Sequence, residues 1–207
     1  MKLRLSRLTF LAAAAFVATL CVCSVRAQGV SVNDAPLRDF AKDVQAKIDK
    51  KEIDVTKPFA VHMSAVINDD GKLNRTNSKF TSESGDAKMV EVAKQAILAM
   101  GDSGYFGYLQ QAGISQAILS VSQTAQTFTG NVHSSKNRFE AAMVTSFINI
   151  ALKAGVSQDM QPNQKLILEN TRASHDGGNI DINCTLPAAD FQRMILGNTA
   201  KAGGPSQ

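Results

Sequence analysis

The sequence predicts an α+β fold, a mostly antiparallel sheet built from three strand–hairpin–strand–helix units with the helices packed on one face. Three observations lead there. Apolar and polar residues alternate strictly near residues 61–68, 117–133 and 179–186, the pattern of strands with one wet face. Turn-forming stretches interrupt these runs, NDDG at 68–71, QTAQT at 123–127 and DGG at 176–178. Helical apolar stripes follow each pair, so the units start at about equal intervals, near residues 60, 116 and 171. Those stripes must cover the dry face of the sheet.

The N-terminus reads as an export signal. Lys2, Arg4 and Arg7 precede an apolar run over residues 8–25, and Val25 and Ala27 occupy the two small-residue positions before a cut between Ala27 and Gln28. Cleavage there makes residues 1–27 a signal peptide; an uncleaved segment would be a single membrane anchor. Both readings put the remainder across the inner membrane, exported to the periplasm or secreted, and the Ala-rich core suits a bacterial signal. Four bases, Lys2, Arg4, Arg7 and Arg26, and no acid lie in this segment. The 22 basic side chains of the full chain therefore fall to 18, matching the 18 acidic ones. A neutral mature chain gives no electrostatic case for nucleic acid or anionic lipid, and membrane contact is expected only through an uncleaved N-terminus. Cys21 and Cys23 leave with the signal, so Cys184 is alone and no internal disulfide can form. The remaining chain is long enough to bury a core without disulfides or metal.

Residues 28–57 read as a loose leader, QGVSVNDAP, and then a helix. Leu37, Phe40, Ala41, Val44 and Ile48 recur at helical spacing, with Asp34 before Pro36 as the cap. In the first strand Val61, Met63, Ala65 and Ile67 face one way, and His62, Ser64 and Asn68 the other. NDDG then has to be a metal loop, a phosphate cradle or a turn. A calcium loop needs oxygen ligands at alternate positions, and Lys72 stands where the third belongs. A phosphate loop needs several glycines opening a helix. NDDG reads as a turn. The next helix carries Met89, Val92, Ala93, Ala96, Ile97 and Met100 on one stripe, with Asp86 as its cap and Gly101 as its end.

YFGYLQQAG (105–113) is short and aromatic. In the second hairpin Ala117, Leu119 and Val121 pair their alternation with Phe128, Gly130 and Val132. The helix after it has Phe139, Met143, Phe147, Ile150 and Ala151 on a shared face, Asn137 and Glu140 at capping-box spacing, and Gly155 at its end. A short helix is expected at 162–170. In the third hairpin Ile180, Ile182, Cys184 and Leu186 form the dry register. Pro187 opens a last helix with Phe191, Met194 and Ile195 inward, and residues 201–207 read as a disordered tail.

Residues 58–124 resemble the C-terminal domain of TonB and its relatives. The matching pieces are FAVHMSAVINDDGKL, the strand near NSKFTS, the helix ESGDAKMVEVAKQAILAM and the strand QAILSVSQ. Residues 125–200 read as a second α+β half, either sharing one core with the first or forming its own. The resemblance implies an envelope domain of that fold that binds a protein partner, by strand addition to a sheet edge. The chain departs from the family in lacking its Pro-rich spacer, in carrying Lys57-Pro58 where a Tyr-Pro element is usual, and in having residues 127–133 placed to pair with the third strand.

No catalytic, cofactor or metal site is expected. Cys184 shares the apolar register of Ile182 and Leu186, where a free Cys packs as a small hydrophobe rather than serving as a nucleophile beside His62, His133 or His175. The histidines fall on the polar register, without a second ligand at metal spacing. Asp39 and Asp43 belong to a solvated helix face, Asp43 pairing with Lys47. Tyr105, Phe106 and Tyr108 are the candidate partner-binding cluster if exposed, and a plug for the end of the sheet if not. The function that follows is an exported, non-catalytic envelope domain binding a protein. The alternatives are a periplasmic carrier of a small apolar ligand, suggested by Met89, Met100 and Met143, and an enzyme with an unrecognised site.

Overall fold

Alternation and turns act as the sequence implies, and six strands form one antiparallel sheet. In the computed structural model residues 30–155 and 160–196 are described. The cleavage position at Ala27 and Gln28, the apolar run before it and the tail at 201–207 lie outside them. The strands are β1 (Phe59–Val66), β2 (Lys79–Gly85), β3 (Gln116–Gln123), β4 (Thr127–Ser135), β5 (Thr171–Asp176) and β6 (Asn179–Pro187), in the order β2-β1-β3-β4-β6-β5. Each hairpin is reversed in the sheet relative to the one before. The first strands of hairpins one and two are neighbours (β1 and β3), as are the second strands of hairpins two and three (β4 and β6).

Among the described residues there are six helices: α1 (Ala35–Asp49), α2 (Ala87–Asp102), α3 (Gly107–Gln111), α4 (Arg138–Gly155), α5 (Pro162–Glu169) and α6 (Ala188–Leu196). One apolar core runs from Leu37 in α1 to Ile195 in α6, so both halves of the chain share it. Val61, Met63, Leu119, Val121, Phe128, Val132, Ile182, Cys184 and Leu186 line the covered face of the sheet. The stacked rings of Phe128 and Phe191, 3.8 Å apart, join β4 to α6.

Local signals explain most element ends. The Asp86 carboxylate accepts from the N–H groups of Lys88 and Met89 and starts α2. Asn137 caps α4 by accepting from the Glu140 N–H at 2.9 Å. Gly101 does not end α2, which runs on to Asp102. Its missing side chain serves packing, because a Cβ there would lie 2.5 Å from Leu73 Cβ; the left-handed residue past the helix is Gly104, at φ +78. Asp34 does not cap α1 either. Asn33 Oδ1 accepts from the Ala35 N–H, and Asp34 accepts the Tyr105 hydroxyl at 2.6 Å. The leader from Val30 onward is held rather than loose: the Asn33 N–H donates to the Ser103 carbonyl. Pro187 closes β6, and α6 begins one residue later.

Helix α4 departs most from expectation. Of the five residues expected to face inward, only Ala151 is buried. Phe139, Met143, Phe147 and Ile150 are 72%, 52%, 63% and 67% exposed. The covered face is Ala141, Thr145, Ile148 and Leu152 instead.

Candidate functional site

The NDDG segment is a turn. The Gly71 N–H donates to the Asn68 carbonyl, and Asp70 Oδ1 accepts from the Lys72 N–H at 3.0 Å. Gly71 has φ +78, and a Cβ there would lie 2.5 Å from Gly107 Cα, so the turn is seated directly on the start of α3. Asp69 accepts from the Gln110 side chain at 3.3 Å. Among the described residues no group of three or more His, Cys, Asp or Glu converges.

The aromatic cluster is not a display surface. Tyr105 and Phe106 are buried and Tyr108 is half-buried, and the turn from α2 into α3 packs against the leader, where the Tyr105 hydroxyl donates to Asp34 and a Cβ at Gly107 would lie 2.9 Å from Val30 Cγ1. They plug the fold at that end, and a partner would have to displace them to reach them.

Cys184 is 1% exposed. Burial pushes its thiol pKa up, opposed by a hydrogen bond from Thr171, and a protonated, enclosed thiol is a poor nucleophile. Between helices and sheet, and not reaching Cys184, lies an apolar cavity of about 40 Å³ lined by residues that include Phe40, Met89, Met100, Leu119 and Phe191. Ligand sites typically offer roughly 300 Å³ or more, well above the volume of this space. Met143, expected to support a ligand space, is on the surface.

His62 and His133 lie on the uncovered face of the sheet. Register places Ser82, His62, Ser120, Asn131, Asn183 and Arg172 in one row across all six strands. His62 Nδ1 is 2.8 Å from Ser120 Oγ, and His133 Nδ1 is 3.0 Å from Asp181 Oδ1. These contacts make a polar, hydrogen-bonding surface. His175 differs from expectation: it shares the register of Ile180 on the covered side, yet is exposed because it sits at the end of β5.

The two edges of the sheet are unlike. At β5, the Asn149 side chain of α4 donates to the Ala173 carbonyl at 2.8 Å and accepts from the Ala173 N–H at 3.1 Å. One amide thus takes both outward backbone groups of that residue, as a neighbouring strand would. At β2, every residue but Phe80 is exposed. The Asp86 N–H donates to the Pro58 carbonyl, which fixes the phase of the ladder. With period two, Glu83 then directs its N–H and carbonyl away from β1. Beneath this edge Lys94 lies 5.2 Å from the Phe80 ring centre and 3.1 Å from Glu83. A bulge between His62 and Met63 breaks the register of the pair. Such bulges and charges discourage indiscriminate edge pairing.

Sequence reasoning missed two features, the stoppered β5 edge and the exposed face of α4. One signal was available for the second: residues 141–152 carry no charge, so α4 is apolar on more than one side. No family model, curated protein or solved structure matches the chain.

Proposed function

We propose that this chain is an exported, non-catalytic domain of the bacterial envelope that binds a protein partner by strand addition at β2. The observation that carries this reading is the asymmetry of the sheet: β5 has its outward groups at Ala173 taken by Asn149, while β2 ends the other side exposed. In the TonB family the third strand is a free edge, whereas residues 127–133 of this chain are placed to pair with it. Here β3 lies between β1 and β4, so a partner strand has to use β2. Main-chain hydrogen bonds would supply affinity, and Phe80, Lys94 and Glu83 would select the side chains of the incoming strand. Cys184 is enclosed, His62 and His133 are engaged with Ser120 and Asp181, and the acidic segment is a turn, so these candidates among the described residues offer less support for a rival reading than the open edge does for this one.

The test is a photo-reactive residue at Thr81, with and without Glu83→Pro, in cells that export the protein. Proline at 83 removes an outward N–H that β1 does not use and leaves the fold intact. A discrete crosslinked product that disappears with Glu83→Pro is expected. A product indifferent to the proline, or none in the unaltered chain, sinks strand addition.

A further inference from the structure

Helix α4 exposes four large apolar side chains, Phe139, Met143, Phe147 and Ile150, in one stripe. Stability of the single chain does not require this face, since the opposite face of α4 already packs through Ala141, Ile148 and Leu152. We propose that the stripe is a self-association surface, and that α4 pairs antiparallel with α4 of a second copy of this chain around a two-fold axis near residue 145.

The spacing of the stripe argues for a second copy. An isologous contact brings one patch against itself reversed, so a helix that uses it must look alike from both ends. Measured from residue 145, the four side chains stand at six and two positions before it and two and five positions after it. Reversal therefore brings Met143 onto Phe147 of the second copy and Phe139 onto its Ile150. Exposed Ser146 and half-buried Ala142 flank the stripe near the centre, and such small residues let two helices approach closely.

Area and charge agree. Aromatic and other large side chains exposed to this extent offer on the order of 500 Å² per copy, about 1,000 Å² for the pair, the lower bound of a specific interface. Arg138, Glu140 and Lys153, the charged residues of α4, all lie at its ends, so pairing buries no unpaired charge. A membrane surface fits less well. Interfacial helices carry Lys and Arg along a polar flank, and α4 has no charged residue from 141 to 152. The pairing is independent of strand addition. Because α4 lies against β5, at the opposite edge of the sheet from β2, a dimer would hold two β2 edges at its far ends and present them bivalently.

The experiment uses the protein as the cell exports it, with its N-terminus read by mass spectrometry. Sedimentation should show a dimer that Phe147→Asp weakens about tenfold or more without altering the circular dichroism spectrum. Ser146→Cys should crosslink to itself on oxidation or with a short bismaleimide. Phe139→Cys should not, because antiparallel pairing separates its two copies by roughly 18 Å along the helix. A monomer at all concentrations overturns the proposal, whether α4 is then covered by the retained N-terminal segment, by a vesicle that co-floats with the protein, or by another envelope protein. So does a dimer indifferent to Phe147→Asp. Equal crosslinking through Phe139→Cys overturns the antiparallel arrangement.

Discussion

Helices α2 and α4 occupy equivalent places, each following a hairpin and each marked by an apolar stripe, yet they turn those stripes in opposite directions. In α2, Met89, Ala93, Ala96, Ile97 and Met100 are buried, and Lys88, Glu91 and Gln95 face water. It has one apolar face, and the sheet takes it. In α4 the large side chains face out, and a smaller set, Ala141, Thr145 and Ala151 with Ile148 and Leu152, faces in. The chain had two apolar faces to choose from. Asn149 settles the choice, because its amide docks on both backbone groups of Ala173 and fixes the rotation of the helix about its axis. The small residues then fit against the last strands of the sheet. Periodicity identifies an apolar stripe, but it does not say which stripe the core uses when a polar anchor decides.

The comparison breaks most sharply under truncation. Ile97→Ala in α2 removes a nearly fully buried side chain and should cost about 2–5 kcal/mol. Phe147→Ala in α4 removes a larger side chain that is mostly in water and should change the stability of the monomer by no more than about 0.5 kcal/mol. Urea unfolding at concentrations low enough to keep the chain monomeric would measure both. Similar losses in the two variants would show that the α4 stripe belongs to the core after all.

How much of this was legible depends on how local each cause is. The alternation of Ile180, Ile182, Cys184 and Leu186, and the Asp86 cap, need only a few neighbouring residues to act, and both occur as the sequence implies. The three-hairpin plan follows from the same period-two signal. The reversal of successive hairpins does not, because strand order depends on contacts between distant segments. Asp34 reads as a cap, but Tyr105, far along the chain, claims its carboxylate. The Tyr105–Phe106 pair could be surface or plug until the leader was placed across it. His175 follows the covered register and is still exposed, since period two carries no information about where a sheet runs out of covering helix. The site follows the same division: β2 was recognisable as a polar strand, whereas its standing as the open edge depends on Asn149, which no local pattern connects to β5.

The role given to Asn149 can be tested next. Asn149→Ala leaves the Ala173 N–H and carbonyl without their partner and should cost about 1–3 kcal/mol. It should also open β5 to pairing with other chains, seen as concentration-dependent aggregation that the parent does not show. Hydrogen exchange would localise the effect, with faster exchange at Ala173 and unchanged protection in β1 and β3. If β1 loosens as much as β5, Asn149 acts on the whole sheet and does not set the rotation of α4 alone.

The smallest effect concerns the inner face of α4 itself. Thr145 is buried, and its Oγ1 has no hydrogen-bond partner, whereas the inward stripe of α2 contains no hydroxyl. A desolvated hydroxyl without a partner is a cost that a methyl group does not carry. Thr145→Val keeps the branched shape and therefore nearly the same helix propensity. It should stabilise the chain by about 1 kcal/mol, a rise of roughly 2–4 °C in Tm for a domain of this size. A fall in Tm would mean that the hydroxyl is satisfied in solution and that this face of α4 is as well matched to the sheet as that of α2. A rise would mean that the face was accepted for its small size and for the Asn149 anchor, leaving the larger stripe free for a second copy.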